Sequence, residues 1–93
     1  MPRFKVAHLR EQGQDIVVIL VNAEFAFKPA DEQSNIISKL QRQSTSAGMK
    51  GTVVPVWQSG DRMSFVAPKQ WHRFFQSLSF EAIQKNINRE IAW

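Results

Sequence analysis

TVVPVW at 52–57, QSGDR at 58–62, MSFVA at 63–67 and PKQWHRFFQSL at 68–78 form the stretch whose reading decides the fold. Val53, Val54 and Val56 are strand formers, Gln58 to Asp61 carries turn chemistry, and Met63 to Val66 reads as the return strand, ended by Pro68. Beyond Pro68 the apolar period switches from two to 3.6. Trp71, Phe74, Phe75 and Leu78 stand at i, i+3, i+4 and i+7, one face of a helix. Pro55 has no N–H to give to a ladder, which predicts that its strand lies at a sheet edge or is bulged there.

Working outward toward the N-terminus, residues 3–10 read as a strand and Glu11-Gln12-Gly13-Gln14 as a turn. Ile16 to Val21 is apolar and β-branched without alternation, the pattern of a strand buried on both faces. Asn22 to Phe27 alternates with period two, but a strand continued through it would be long for so small a domain. It is read as a loop pinned by Phe25 and Phe27. Pro29 opens a helix with Asp31 and Glu32 at its positive end. Ile36, Ile37 and Leu40, extended by Ala47, are its narrow apolar stripe, and Gly48 is its stop, with the end placed between Gln43 and Ala47. After Leu78, Ser79 reads as a cap for a last helix with Phe80, Ile83, Ile87 and Ile91 as its stripe.

The expected fold is therefore α+β: one small domain over residues 1–93, order ββαββα with the terminal helix broken near Ser79. Its sheet is mixed and four-stranded, with helices packed on it in two or three layers. The helix between residues 21 and 52 predicts a right-handed crossover between parallel neighbours. Val54-Pro55 ahead of a hairpin and then a helix resembles the closing ββα of thioredoxin-like domains, over Val54 to Leu78. That resemblance implies no thiol activity here, because the chain has no CxxC.

Composition narrows function by exclusion. With no cysteine there is no disulfide, thiolate nucleophile, iron–sulfur cluster or cysteine-based zinc site. Lack of cysteine and of an apolar signal core after Met1-Pro2-Arg3 points to the cytoplasm. Ile16 to Val21 is far below the ~20 residues a membrane span needs. His8 and His72 are the only histidines and no HxxxH or HExxH spacing occurs, so no metal is expected. Neither a G-x-S-x-G elbow nor a glycine-rich phosphate loop is present, so no cofactor is expected and the balance is against an enzyme.

Twelve basic residues against eight acidic ones give a net charge of +4, which favours polyanions weakly. Lys69, His72, Arg73 and Gln76 fall off the apolar face of their helix, with Arg62 and Lys50 near in sequence. An ordinary solvated helix face explains them more economically than a nucleic-acid surface. The same holds for the pairs Lys39 with Arg42 and Lys85 with Arg89, each expected on one helical face. Trp57 ends a strand beside the turn, where a half-exposed indole would suit an interface, although core packing is the commoner use. Trp93 either docks or frays.

Three functions are carried forward. The first is a protein-interaction or self-associating module, a homodimer included, working through an edge strand and aromatic residues. The second is a weak nucleic-acid binder. The third is an enzyme whose site forms between subunits around His72. The candidate surface is Trp57, Arg62, Lys69, His72, Arg73 and Gln76.

Overall fold

A computed structural model describes residues 3–11, 13–60 and 62–92. Expectations resting on Asp61 or Trp93 lie outside the described residues. The elements are strands β1 (Arg3–Glu11) and β2 (Gln14–Leu20), helix α1 (Ala30–Ser46), strands β3 (Thr52–Ser59) and β4 (Arg62–Phe65), helices α2 (His72–Gln76) and α3 (Phe80–Lys85), and strand β5 (Arg89–Ala92). The sheet is mixed, in the order β4-β3-β2-β1-β5, with β2 and β3 parallel and the other neighbours antiparallel. The class is α+β as read, but the sheet has five strands rather than four.

β2 is central and its side chains split between two cores. Ile16 and Val18 join Ala7, Val54, Val56, Trp71, Phe75 and Ile83 on one face. Val17 and Ile19 join Val6, Leu40, Met49, Val53 and Ile91 on the other. This is why the segment shows no alternation: both faces are covered, by α2 and α3 on one side and α1 on the other. The result is three layers, helix–sheet–helix.

The fifth strand corrects the reading of the C-terminus. Phe80, Ile83, Ile87 and Ile91 are spaced as a helical stripe, yet α3 ends at Lys85 and Ile91 lies in β5, paired with Phe4. Asn88 makes the switch. Its side-chain Oδ1 accepts from the His8 N–H at 2.9 Å and its Nδ2 donates to the His8 carbonyl at 3.2 Å. The amide side chain thus imitates a peptide group and continues the ladder on β1 just beyond β5. Lys85 and Arg89 consequently do not share a helical face, whereas Glu81 and Lys85 do pair at 3.5 Å on α3.

Pro55 is not on an edge. It lies in β3, flanked by β2 and β4, opposite Ile19. Its carbonyl accepts from the Val66 N–H at 3.1 Å, so its missing donor faces the β4 side just past Phe65, where β4 has ended. The proline is tolerated because the neighbouring strand is short.

Asn22 to Phe27 is neither strand nor open loop. Residues Ala23–Phe27 form a 3-10 turn capped by the Asn22 side chain, which accepts from the Glu24 N–H at 2.9 Å. Only Phe25 pins it; the Phe27 ring is 88% exposed. α1 begins after Pro29, as expected, and stops at a Schellman motif. Gly48 N–H donates to Thr45, and Met49 N–H to Ser44, at 3.0 and 2.9 Å. Ser44 rather than Ala47 extends the buried stripe, its hydroxyl satisfied by the Gln41 carbonyl at 3.0 Å.

Gln41 ties α1 to the sheet. Its Nε2 donates to the Gly51 carbonyl at 2.9 Å and its Oε1 accepts from the Val53 N–H at 3.0 Å. β4 pairs only with residues 56–59 of β3, so Gln41 covers the part of that edge which β4 leaves bare. Gln41→Ala is expected to cost about 1–3 kcal/mol, since it orphans a part-buried N–H and a carbonyl together. Hydrogen exchange at the Val53 amide checks it directly; an unchanged rate would show that the amide was never held there.

Candidate functional site

The six residues singled out from sequence do not form one surface. Trp57 is 7% exposed, so it supplies no half-exposed indole. It sits on the α1 side of β3, tilted against the Phe25 ring at a centroid distance of 5.2 Å, and not beneath the terminal helix. Sequence gave no hint of this pairing, because a 3-10 turn 32 residues earlier supplies the lid.

His72 is exposed on α2, but its ring is in use. Nε2–H donates to the Ala67 carbonyl at 2.9 Å, and the ring meets Phe65 edge-on at 5.6 Å. It braces the chain between β4 and α2. It lines none of the three hollows described below. The other histidine, His8, likewise donates from Nε2 to a carbonyl, that of Lys50, at 2.9 Å. Among the described residues no three His, Asp or Glu side chains gather as a metal cluster. No helix of these residues is long and apolar enough to cross a membrane.

Arg62 and Gln76 are brought together. Both line an open-sided groove of about 440 Å³ between β4 and the α2–α3 junction. Its apolar lining is Met63, Phe65, Phe75, Leu78 and Phe80, and its polar lining is Arg62, Gln76 and Ser79. Sequence reasoning counted Leu78 and Phe75 as core only, and overlooked Ser79 and Phe80. The available signal was the break at Ser79, because a helix that stops and restarts leaves a notch. A second, more polar hollow of about 510 Å³ shares Ser79 and Phe80 and adds Gln58, Glu81 and Gln84. The two hollows adjoin at Ser79 and Phe80 to make a trough beside the β3–β4 hairpin, with Arg62 in the lining of the first and Glu81 in that of the second.

β4 forms one wall of that trough and is an edge of the sheet. Its pairing runs Val56 with Phe65, Trp57 with Ser64, Gln58 with Met63 and Ser59 with Arg62. The Val66 N–H bond to Pro55 fixes the alternation. Ser64 and Arg62 therefore turn their peptide groups inward, and Met63 and Phe65 turn theirs to the open side. The opposite edge, β5, is guarded by adjacent charges at Arg89 and Glu90, the latter paired with Arg3 at 3.7 Å. β4 carries one charge, Arg62, at its first residue.

Lys69 and Arg73 are exposed and lie outside the groove. Among the described residues neither they nor Arg62 has an acidic side chain within ion-pair distance. Comparison with protein-family models, with curated proteins and with solved structures finds no match. The local resemblance of Val54 to Leu78 to thioredoxin-like domains gains nothing from these comparisons.

Proposed function

We propose that this chain is a protein-interaction module whose working surface is the β4 edge and the groove beside it. The partner is an extended segment of another protein, added to the sheet as a strand next to β4. The observation that carries this reading is the outward N–H and C=O groups of Met63 and Phe65 beside a groove of mixed lining, whose apolar part is Met63, Phe65, Phe75, Leu78 and Phe80. Main-chain pairing would hold the segment, and alternate side chains would enter the groove against Phe65, Leu78 and Phe80. The edge of β5 suits this less, because its adjacent charges resist being covered.

The test is an NMR titration of the isotope-labelled protein with a pool of capped, extended peptides of alternating apolar and polar residues. Binding at β4 shifts the Met63 and Phe65 amides and slows their exchange with solvent, with accompanying shifts at Leu78 to Phe80. Met63→Pro is expected to abolish this, because the N–H it removes faces outward and the ladder to β3 keeps its bonds. Peptides that leave the β4 amides unmoved would overturn the reading. Shifts confined to Lys69 and Arg73 with a single-stranded oligonucleotide, falling steeply with salt, would replace it with polyanion binding.

A further inference from the structure

We infer a second interaction surface, on the opposite side of the sheet, whose occupant is another copy of this chain. Its parts are the exposed Phe27 ring and a small apolar hollow next to it. Phe27 closes the 3-10 turn of residues Ala23–Phe27, and this turn is fixed at both ends by hydrogen bonds. Its ring is nonetheless 88% exposed. The hollow, of about 150 Å³, is lined by Phe4, Val21, Phe25 and Ile36, with Asn22, Glu24 and Lys28 beside them. An apolar cavity of roughly this size accepts a benzene molecule, so a phenylalanine ring fits it.

The ring and the hollow belong to the same short stretch of chain. A two-fold axis passing near Phe27 lets each copy seat its ring in the hollow of the other, an isologous contact. Charge says that the occupant is a second copy. Glu24 and Lys28 flank the hollow, and among the described residues neither has an ion-pair partner. Across a two-fold axis Glu24 of each copy faces Lys28 of the other, so the contact satisfies itself twice. The contact is small. Two seated rings and their rims fall near the low end of specific interfaces, roughly 1,000 Å² in all, so a weak dimer is expected and a dissociation constant on the order of 10⁻⁴ M is taken as the working value for its test.

This surface is independent of the β4 groove, and a dimer formed through it leaves both β4 edges free. Sedimentation velocity over a concentration range spanning that constant tests it. The mass is expected to rise from 10.7 kDa toward twice that value. Phe27→Ala is expected to weaken association roughly ten- to hundredfold while leaving the unfolding midpoint unchanged, since the ring is 88% exposed in the monomer. Glu24→Lys or Lys28→Glu alone weakens the dimer, and the two combined in one chain restore it. A protein monomeric throughout the range overturns the inference. So does a dimer indifferent to Phe27→Ala, and so does one abolished by Met63→Pro, which would place the contact at β4.

Discussion

Phe75→Ala is expected to destabilise the fold by about 3–5 kcal/mol. The ring is 1% exposed and lies over the sheet in the cluster formed by Ala7, Ile16, Val18, Val54 and Val56. It also holds the aromatic side chains together: Phe65 is 5.3 Å away and Phe74 is 5.2 Å away, centroid to centroid. α2 is five residues long and has no stability of its own, so the ring is what fastens it to β3 and β4. Since small domains hold about 5–15 kcal/mol in total, this one truncation removes a large share. Phe74 has the same helical spacing but is only half-buried, meeting Trp71 edge-on at 6.1 Å. Its truncation is expected to cost about half as much. Urea denaturation of both variants gives the comparison, read as a shift of midpoint at constant slope. A cost under about 1 kcal/mol for Phe75 would mean that its ring is not core.

That contrast shows where local sequence stopped being informative. Spacing placed Trp71, Phe74, Phe75 and Leu78 on one apolar face, and Trp71 and Phe75 are buried while Phe74 and Leu78 are half-exposed, Leu78 at the groove. Period alone cannot distinguish the centre of a packed face from its margin, because the margin depends on where the next element begins. The same limit hid β5. Residues 80, 83, 87 and 91 step by three and four, so they fit a helix, whereas four residues of strand are too few to show alternation. Asn86 and Asn88, poor helix formers, were the local warning. What decided the matter was the bare edge of β1, 80 residues away in sequence.

The candidate surface divides in the same way. Arg62 and Gln76 were legible as polar positions on elements that the pattern defined well, and they do share the groove. Trp57 is packed in the core, the commoner use of such a ring, but its cover is the Phe25 turn, which no local pattern announced. The β4 edge was missed for a related reason. Pro55 marked β3 as the strand unable to pair fully, yet a strand lacking one donor can sit inside a sheet if its neighbour ends in time. Once β3 was internal, the edge passed to β4, and with it the outward peptide groups on which the proposed function depends.

Gly51→Ala is expected to be the most damaging single-methyl change in the chain, at about 3 kcal/mol or more. Gly51 stands immediately ahead of the parallel pairing of β2 with β3, which starts at Ile16 opposite Thr52. Its φ is +119°, a region that side chains rarely adopt, and a methyl group there would lie 2.3 Å from the Asp15 carbonyl oxygen and 2.5 Å from the carbonyl carbon. The obstruction is backbone, so no side chain can swing aside. Relief requires β3 to move away from β2 at the entry to the sheet, where the Gly51 carbonyl also receives the Gln41 amide and the Lys50 carbonyl receives His8. One methyl therefore strains the strand pairing, the α1 tether and the His8 brace together. Gly13→Ala is the control: its φ is +76° but nothing lies within 4 Å of the added methyl, so it carries only the backbone penalty, about 1 kcal/mol. For a domain of this size each kcal/mol lowers the melting temperature by about 4–8 °C. Gly51→Ala is thus expected to melt at least about 12 °C below the parent, and Gly13→Ala only about 4–8 °C below it. Equal melting temperatures for the two variants would show that β2 and β3 do not approach so closely at their entry, and that the parallel register begins elsewhere.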